Sequence, residues 1–85
     1  MDGFSLVLLE NTLESVTDLT QPEDKSKILD CVTEIREYAE LCTLNPSDTT
    51  CLRQLRRAMT DLARLVQEKR EFILASRLGM IAQQL

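Results

Sequence analysis

Eighty-five residues, 44% hydrophobic and 28% charged with a formal net charge of −4, describe one small globular domain and exclude a disordered polyelectrolyte. A chain this short buries only about 60% of the surface it exposes when unfolded, so a monomer is marginally stable and pairing would add core. Histidine is absent and the only glycines are Gly3 and Gly79, which excludes Ser-His and Cys-His nucleophile pairs and Gly-rich phosphate loops.

The spacing predicts a first helix over about 3–19, with Phe4, Leu8, Leu9, Leu13, Val16 and Leu19 on its apolar face and Leu6 and Val7 widening it. The run 4–9 is too short to span a membrane, and no basic segment precedes it. Thr20-Gln21-Pro22-Glu23 then reads as a capping box. Thr20 would accept from first-turn amides, Glu23 would reach back to the Thr20 amide, and Pro22 would sit where its missing N–H is harmless.

A second helix is expected over about 21–43. Ile28, Val32, Ile35, Ala39 and Cys42 step by 4, 3, 4 and 3, and Asp30, Glu34, Glu37 and Glu40 fill the opposite side. Asn45-Pro46 ends it, and Ser47 or Asp48 can cap the next helix. The third helix, about 49–67, carries Leu52, Leu55, Met59, Leu62 and Val66 on one stripe.

Beyond Val66 the pattern changes. The polar run Gln67-Glu68-Lys69-Arg70-Glu71 precedes a fourth segment, about 70–85, with a new stripe of Leu74, Leu78, Ile81 and Leu85. Counted along one straight helix, the second stripe is rotated by roughly 100° from the first. Either the helix bends or breaks near 67–71, or the stripes face different surfaces. The second option is the expectation, with the first stripe packing on helices 1 and 2 and the second open to another chain. The last residues, Ile81-Ala82-Gln83-Gln84-Leu85, read as mid-helix, so the chain is expected to be the N-terminal part of a longer protein.

The fold expected is therefore all-α: a small three-helix bundle, or a helical hairpin, with a long third helix, either continuous or split near residue 70. It forms one domain over 1–85.

Charge is divided along the chain. Residues 1–48 hold 11 acids and 3 bases, whereas residues 49–85 hold 7 bases and 3 acids. The plainest account is intramolecular pairing of the acidic second helix with the basic third. Arg53, Arg57 and Arg64 share one face of that third helix, with Arg56 close by. Such a row can bind phosphate, but no aromatic residues are interleaved with it, and an acidic protein surface suits it better.

Cys31, Cys42 and Cys51 are three in number with no secretory signal, which points to reduced thiols in an intracellular compartment, cytoplasmic or nuclear. Three cysteines without histidine do not complete a structural zinc site, so no metal or cofactor is expected. Their plainest role is as small buried hydrophobes, although a hairpin could bring Cys42 and Cys51 together.

The carboxylates belong to solvated helix faces, and no apolar cleft is implied that would shift them. The function expected is non-catalytic: a protein–protein interaction or dimerisation module of an intracellular scaffold or regulator. Its contact residues would be Leu74, Leu78, Ile81, Leu85, Arg53, Arg57 and Arg64. The partner would be a second copy or a heterologous helix, with homo-oligomerisation expected and nucleic acid and membrane not. Two alternatives remain. One is part of an armadillo- or HEAT-like helical-repeat domain, which has similar helix lengths and short turns. The other is a weak nucleic-acid or membrane-surface binder using the basic third helix.

Overall fold

A computed structural model describes residues 3–85, the side chain of Phe4 excepted, so Met1, Asp2 and the Phe4 side chain lie outside the described residues. The chain is all-α: α1 (Gly3–Leu19), α2 (Lys25–Leu44), α3 (Thr49–Glu68) and α4 (Phe72–Gln83), with no strand among the described residues. The helices close into a ring in which α1 meets α2, α2 meets α3, α3 meets α4 and α4 returns to α1. The radius of gyration, 12.1 Å, matches the ~12 Å expected of a chain this length folded on one core.

The α2 stripe packs inward as its spacing requires: Ile28, Val32, Ile35, Ala39 and Cys42 are all buried. From α1 the core receives Leu9, Leu13 and Val16, together with Thr12, whose hydroxyl donates to the Leu8 carbonyl and so enters the core satisfied. Leu8 is half-buried, and Leu19 is exposed at the helix end. From α3 come Cys51, Leu55, Ala58, Met59, Leu62 and Val66, while Leu52 is half-buried.

The junction between α1 and α2 departs from the sequence reading. No capping box forms. Thr20 donates its hydroxyl backward to the Val16 carbonyl, which closes α1. With that oxygen turned away, the chain enters α2 through a tight 3-10 turn, Pro22–Asp24, with Pro22 in the first turn and no side-chain cap on either Gln21 or Asp24. At the second junction Asp48 is the cap. Its carboxylate accepts from the amides of Thr50 at 3.0 Å and Cys51 at 3.1 Å.

The third helix does break. The Arg70 amide donates to Gln67 and the Glu71 amide to Val66, both at 2.9 Å, with Arg70 at φ 64°. This is the Schellman arrangement, in which the residue just past the helix takes the left-handed conformation that glycine favours. An arginine holds that place here. Arg70→Gly is therefore expected to stabilise the fold by about 0.5–1 kcal/mol. The urea midpoint checks this, and a loss of stability would count against a left-handed Arg70.

The break overturns the expectation of two stripes on different surfaces. Leaving α3 through a left-handed residue resets the helical phase and direction, so α4 folds back along α3. Leu74, Leu78 and Ile81 are 5%, 0% and 1% exposed and join the same core as Leu62 and Val66. The arrangement is four helices rather than three with one long member.

Candidate functional site

α3 is the helix that carries most of the charged candidates. Its N-terminus is fixed by Asp48, and Leu55, Met59 and Leu62 hold its inner face in the core. With that face pinned, Arg53, Arg57 and Arg64 point away from the bundle, and all three are exposed. Arg56 turns toward α4, where it lines an open groove with Thr60, Gly79, Ala82 and Gln83. Leu85, half-buried, lines the continuation of that groove with Leu52 and Arg53.

The arginine row has no ion pair among the described residues. Among the described residues the ion pairs are Arg36–Glu10 at 3.5 Å and Lys69–Asp24 at 2.9 Å. The first joins α2 to α1, and the second joins the end of α3 to the 3-10 turn before α2. The bond to Asp24 also holds the Lys69 ammonium above its ordinary pKa.

Intramolecular pairing between the α2 acids and the α3 arginines, expected from the charge division, does not form. The flank of α3 turned toward α2 carries Asp61 and Leu65 instead of arginine, and at ~100° per residue Arg57 and Arg64 sit roughly 40–60° further round from Asp61. The charges nearest Cys31 at that seam are mainly carboxylates, with Lys27 the opposing one. The Cys31 thiol is raised by its desolvation and then by the carboxylates of Glu34, Asp61 and Asp30. Asp30, Glu34, Glu37 and Glu40 thus form an open acidic face on α2, and the arginines form an open basic face on α3 beside it.

The apolar candidates divide differently. Leu74, Leu78 and Ile81, expected as a contact surface, are core side chains and offer no face to a partner in this fold. The apolar residues of α4 that do reach solvent are Phe72, Ile73 and Met80. Ile73 and Met80 are seven apart and share a side of the helix. Spacing alone does not single them out, because the stripe of Leu74, Leu78, Ile81 and Leu85, taken as the continuation of a straight α3, occupies the outward side. Leu41 and Leu44 are exposed at the end of α2.

The turn at 45–48 brings Cys42 and Cys51 together. Their sulfurs are 2.8 Å apart, with the Cys42 thiol donating to Cys51. The Cys51 thiol in turn faces the Tyr38 carbonyl at 3.6 Å. Burial, and next the bond to Cys51, push the Cys42 thiol up to about 12. Both are free thiols, and Cys31 is a third, half-buried and separate.

Among the described residues no group of three or more Cys, Asp or Glu is placed to hold a metal ion. A crevice between the ends of α1 and α3 is lined by Val16, Leu19, Thr20, Ile28, Val66 and Leu74 together with the Asp24–Lys69 pair. No described helix is long and apolar enough to cross a membrane. Compared with family models, curated proteins and solved structures, the chain matches none.

Proposed function

We propose that this chain is a non-catalytic protein–protein interaction or dimerisation module, of the kind used in intracellular scaffolds and regulators, and that its contact surface is the α2–α3 face. One observation carries the reading: Arg53, Arg57 and Arg64 form an exposed row without an ion pair, next to an α2 face whose acids are also largely unpaired. Guanidinium groups held at helical spacing present forked donors that suit carboxylates, and complementary charge of this kind sets partner choice and register.

A second copy of the chain supplies the complement. α2 and α3 form an antiparallel hairpin. A two-fold axis parallel to the pair lays α2 of each copy over α3 of the other, so that Asp30, Glu34 and Glu37 meet Arg53, Arg57 and Arg64. Leu41 would provide an apolar contact within the acidic face. Such an interface is isologous and closes at two subunits. Exposed ion pairs are individually weak and screened by salt, so the association is modest and falls as ionic strength rises.

The experiment is light scattering across a protein concentration series at low and physiological salt, with reductant present, on the wild type and on Arg53→Glu/Arg57→Glu/Arg64→Glu. The expected result is a wild-type mass that rises toward a dimer at low salt and a variant that stays monomeric with an unchanged far-ultraviolet spectrum. A wild type that is monomeric throughout, and that also fails to retain an acidic helical peptide, would sink the reading. Retention on duplex nucleic acid or anionic vesicles instead would favour the phosphate-binding alternative on the same arginines.

A further inference from the structure

We propose that Cys42 and Cys51 are a reversible disulfide site whose oxidation covalently ties α2 to α3 across the 45–48 turn. The two sulfurs stand at 2.8 Å, and the backbone that carries them is fixed on both sides. The Asn45 amide donates to Leu41 at 2.9 Å and the Asp48 amide to Asn45 at 3.0 Å, which sets the turn. The Asp48 carboxylate accepts the amide of Cys51 itself. Sulfur proximity is thus a consequence of the α2 C-terminus, the turn and the α3 N-cap together.

The pair is also isolated from its competitor. Cys31 lies eleven residues before Cys42 on the same helix, about 16 Å along its axis at 1.5 Å per residue. It reaches neither sulfur while α2 is intact. Reduced, the two thiols serve the core as small apolar groups with weak donors. Oxidised, the pair loses two hydrogens and keeps its place between the same neighbours.

The oxidant is a low-molecular-weight disulfide such as oxidised glutathione. Cys51, at 6% exposure against 0% for Cys42, is the sulfur that meets it. The Cys51 thiolate attacks one sulfur of the oxidant, forms a mixed disulfide and releases one thiolate. The Cys42 thiolate then attacks the Cys51 sulfur, forms the Cys42–Cys51 bond and releases the second. The two protons lost by the cysteines end on the two thiols released, so one disulfide is reduced as one is formed. The high-lying Cys42 thiol leaves little thiolate at neutral pH, so the exchange proceeds through openings of the turn and is slow in both directions.

A bond made easier by the fold stabilises the fold by the same factor. Closing a loop this short in the unfolded chain raises the folding constant on the order of 100-fold.

The test equilibrates the folded 85-residue chain with a series of oxidised-to-reduced glutathione ratios, quenches with an alkylating agent and cleaves with trypsin. Cleavage after Lys27, Arg36 and Arg53 leaves Cys31 in the 28–36 peptide and both other cysteines in 37–53. The expected result is a 37–53 peptide that escapes alkylation and is lighter by two hydrogens, while the 28–36 peptide is alkylated or carries glutathione. The effective concentration of the pair should be on the order of 100-fold higher in buffer than in concentrated urea. A 37–53 peptide that stays doubly alkylated at the most oxidising ratio would overturn the proposal, as would equal effective concentrations with and without urea. Both readouts use the wild-type chain, so neither depends on a variant that folds.

Discussion

Leu78→Glu is expected to unfold the protein. Leu78 has no solvent exposure, and it shares its core with Leu62 and Val66 on α3 through the fold-back that follows Arg70. Truncation to alanine at such a site costs about 2–5 kcal/mol through lost burial and the cavity left behind. A carboxylate adds the cost of a buried charge with no partner. A domain of this size commands roughly 4–13 kcal/mol in total at 0.05–0.15 kcal/mol per residue.

Circular dichroism with urea titration checks the result. Leu78→Ala should lower the midpoint strongly, and Leu78→Glu should show little helix at any urea concentration. Ile73→Glu is the internal comparison. Ile73 is 72% exposed on the outer side of α4, so the change should stay within about 0.5 kcal/mol of wild type. If Leu78→Glu remained folded and altered only the assembly mass, α4 would lie apart from the bundle and the second stripe would be a partner surface after all.

Stability is expected to fall with rising pH above about 9, and Cys42 is expected to be a main cause. Its thiol is pushed from the ordinary 9.0 to about 12 by burial and by the bond to Cys51. The sign follows from proton counts. Below pH 9 both the folded and unfolded chains keep the proton, and the stability is present in full. Between 9 and 12 the unfolded chain releases it while the folded chain holds it, so each increment of pH favours unfolding.

Within that window one such group contributes a slope approaching about 1.4 kcal/mol per pH unit. The decisive quantity is a difference between two proteins that share every other group. Urea midpoints of wild type and Cys42→Ala, measured with reductant from pH 8 upward, should converge as pH rises, because the variant lacks the group that charges on unfolding. Parallel curves would mean that Cys42 titrates normally. Cys31, also raised, adds to the same trend in both proteins and drops out of the comparison.

The two expectations depend on features of different legibility. The inward stripe of α2 was readable from spacing alone, because Ile28, Val32, Ile35, Ala39 and Cys42 recur at the period of a helix, and a helix that long has one apolar face to bury. A cap at Ser47 or Asp48 was readable for the same local reason, since an oxygen side chain after Asn-Pro meets unpaired first-turn amides, and the structure selects Asp48. Even there, a local rule failed where two local bonds competed. Thr20 had a capping position open to it and bonded backward to Val16 instead, and no count of residues separates those options.

By itself the sequence determined the all-α class, the faces of α2 and α3, the Leu9, Leu13 and Val16 part of the α1 face, the arginine row on the third helix and the polar run that interrupts it. These are consequences of periodicity and of backbone chemistry within a few residues. Tertiary structure alone decided the rest. Arg70 took the left-handed conformation without a glycine to announce it, and that one residue re-aimed Leu74, Leu78 and Ile81 from a supposed outer surface into the core. The packing of α2 on α3 set which flanks met, leaving Arg53, Arg57 and Arg64 without ion pairs to α2 and placing Cys42 against Cys51. Direction after a turn and contact across a seam are properties of how helices sum in space, and no single helix encodes them.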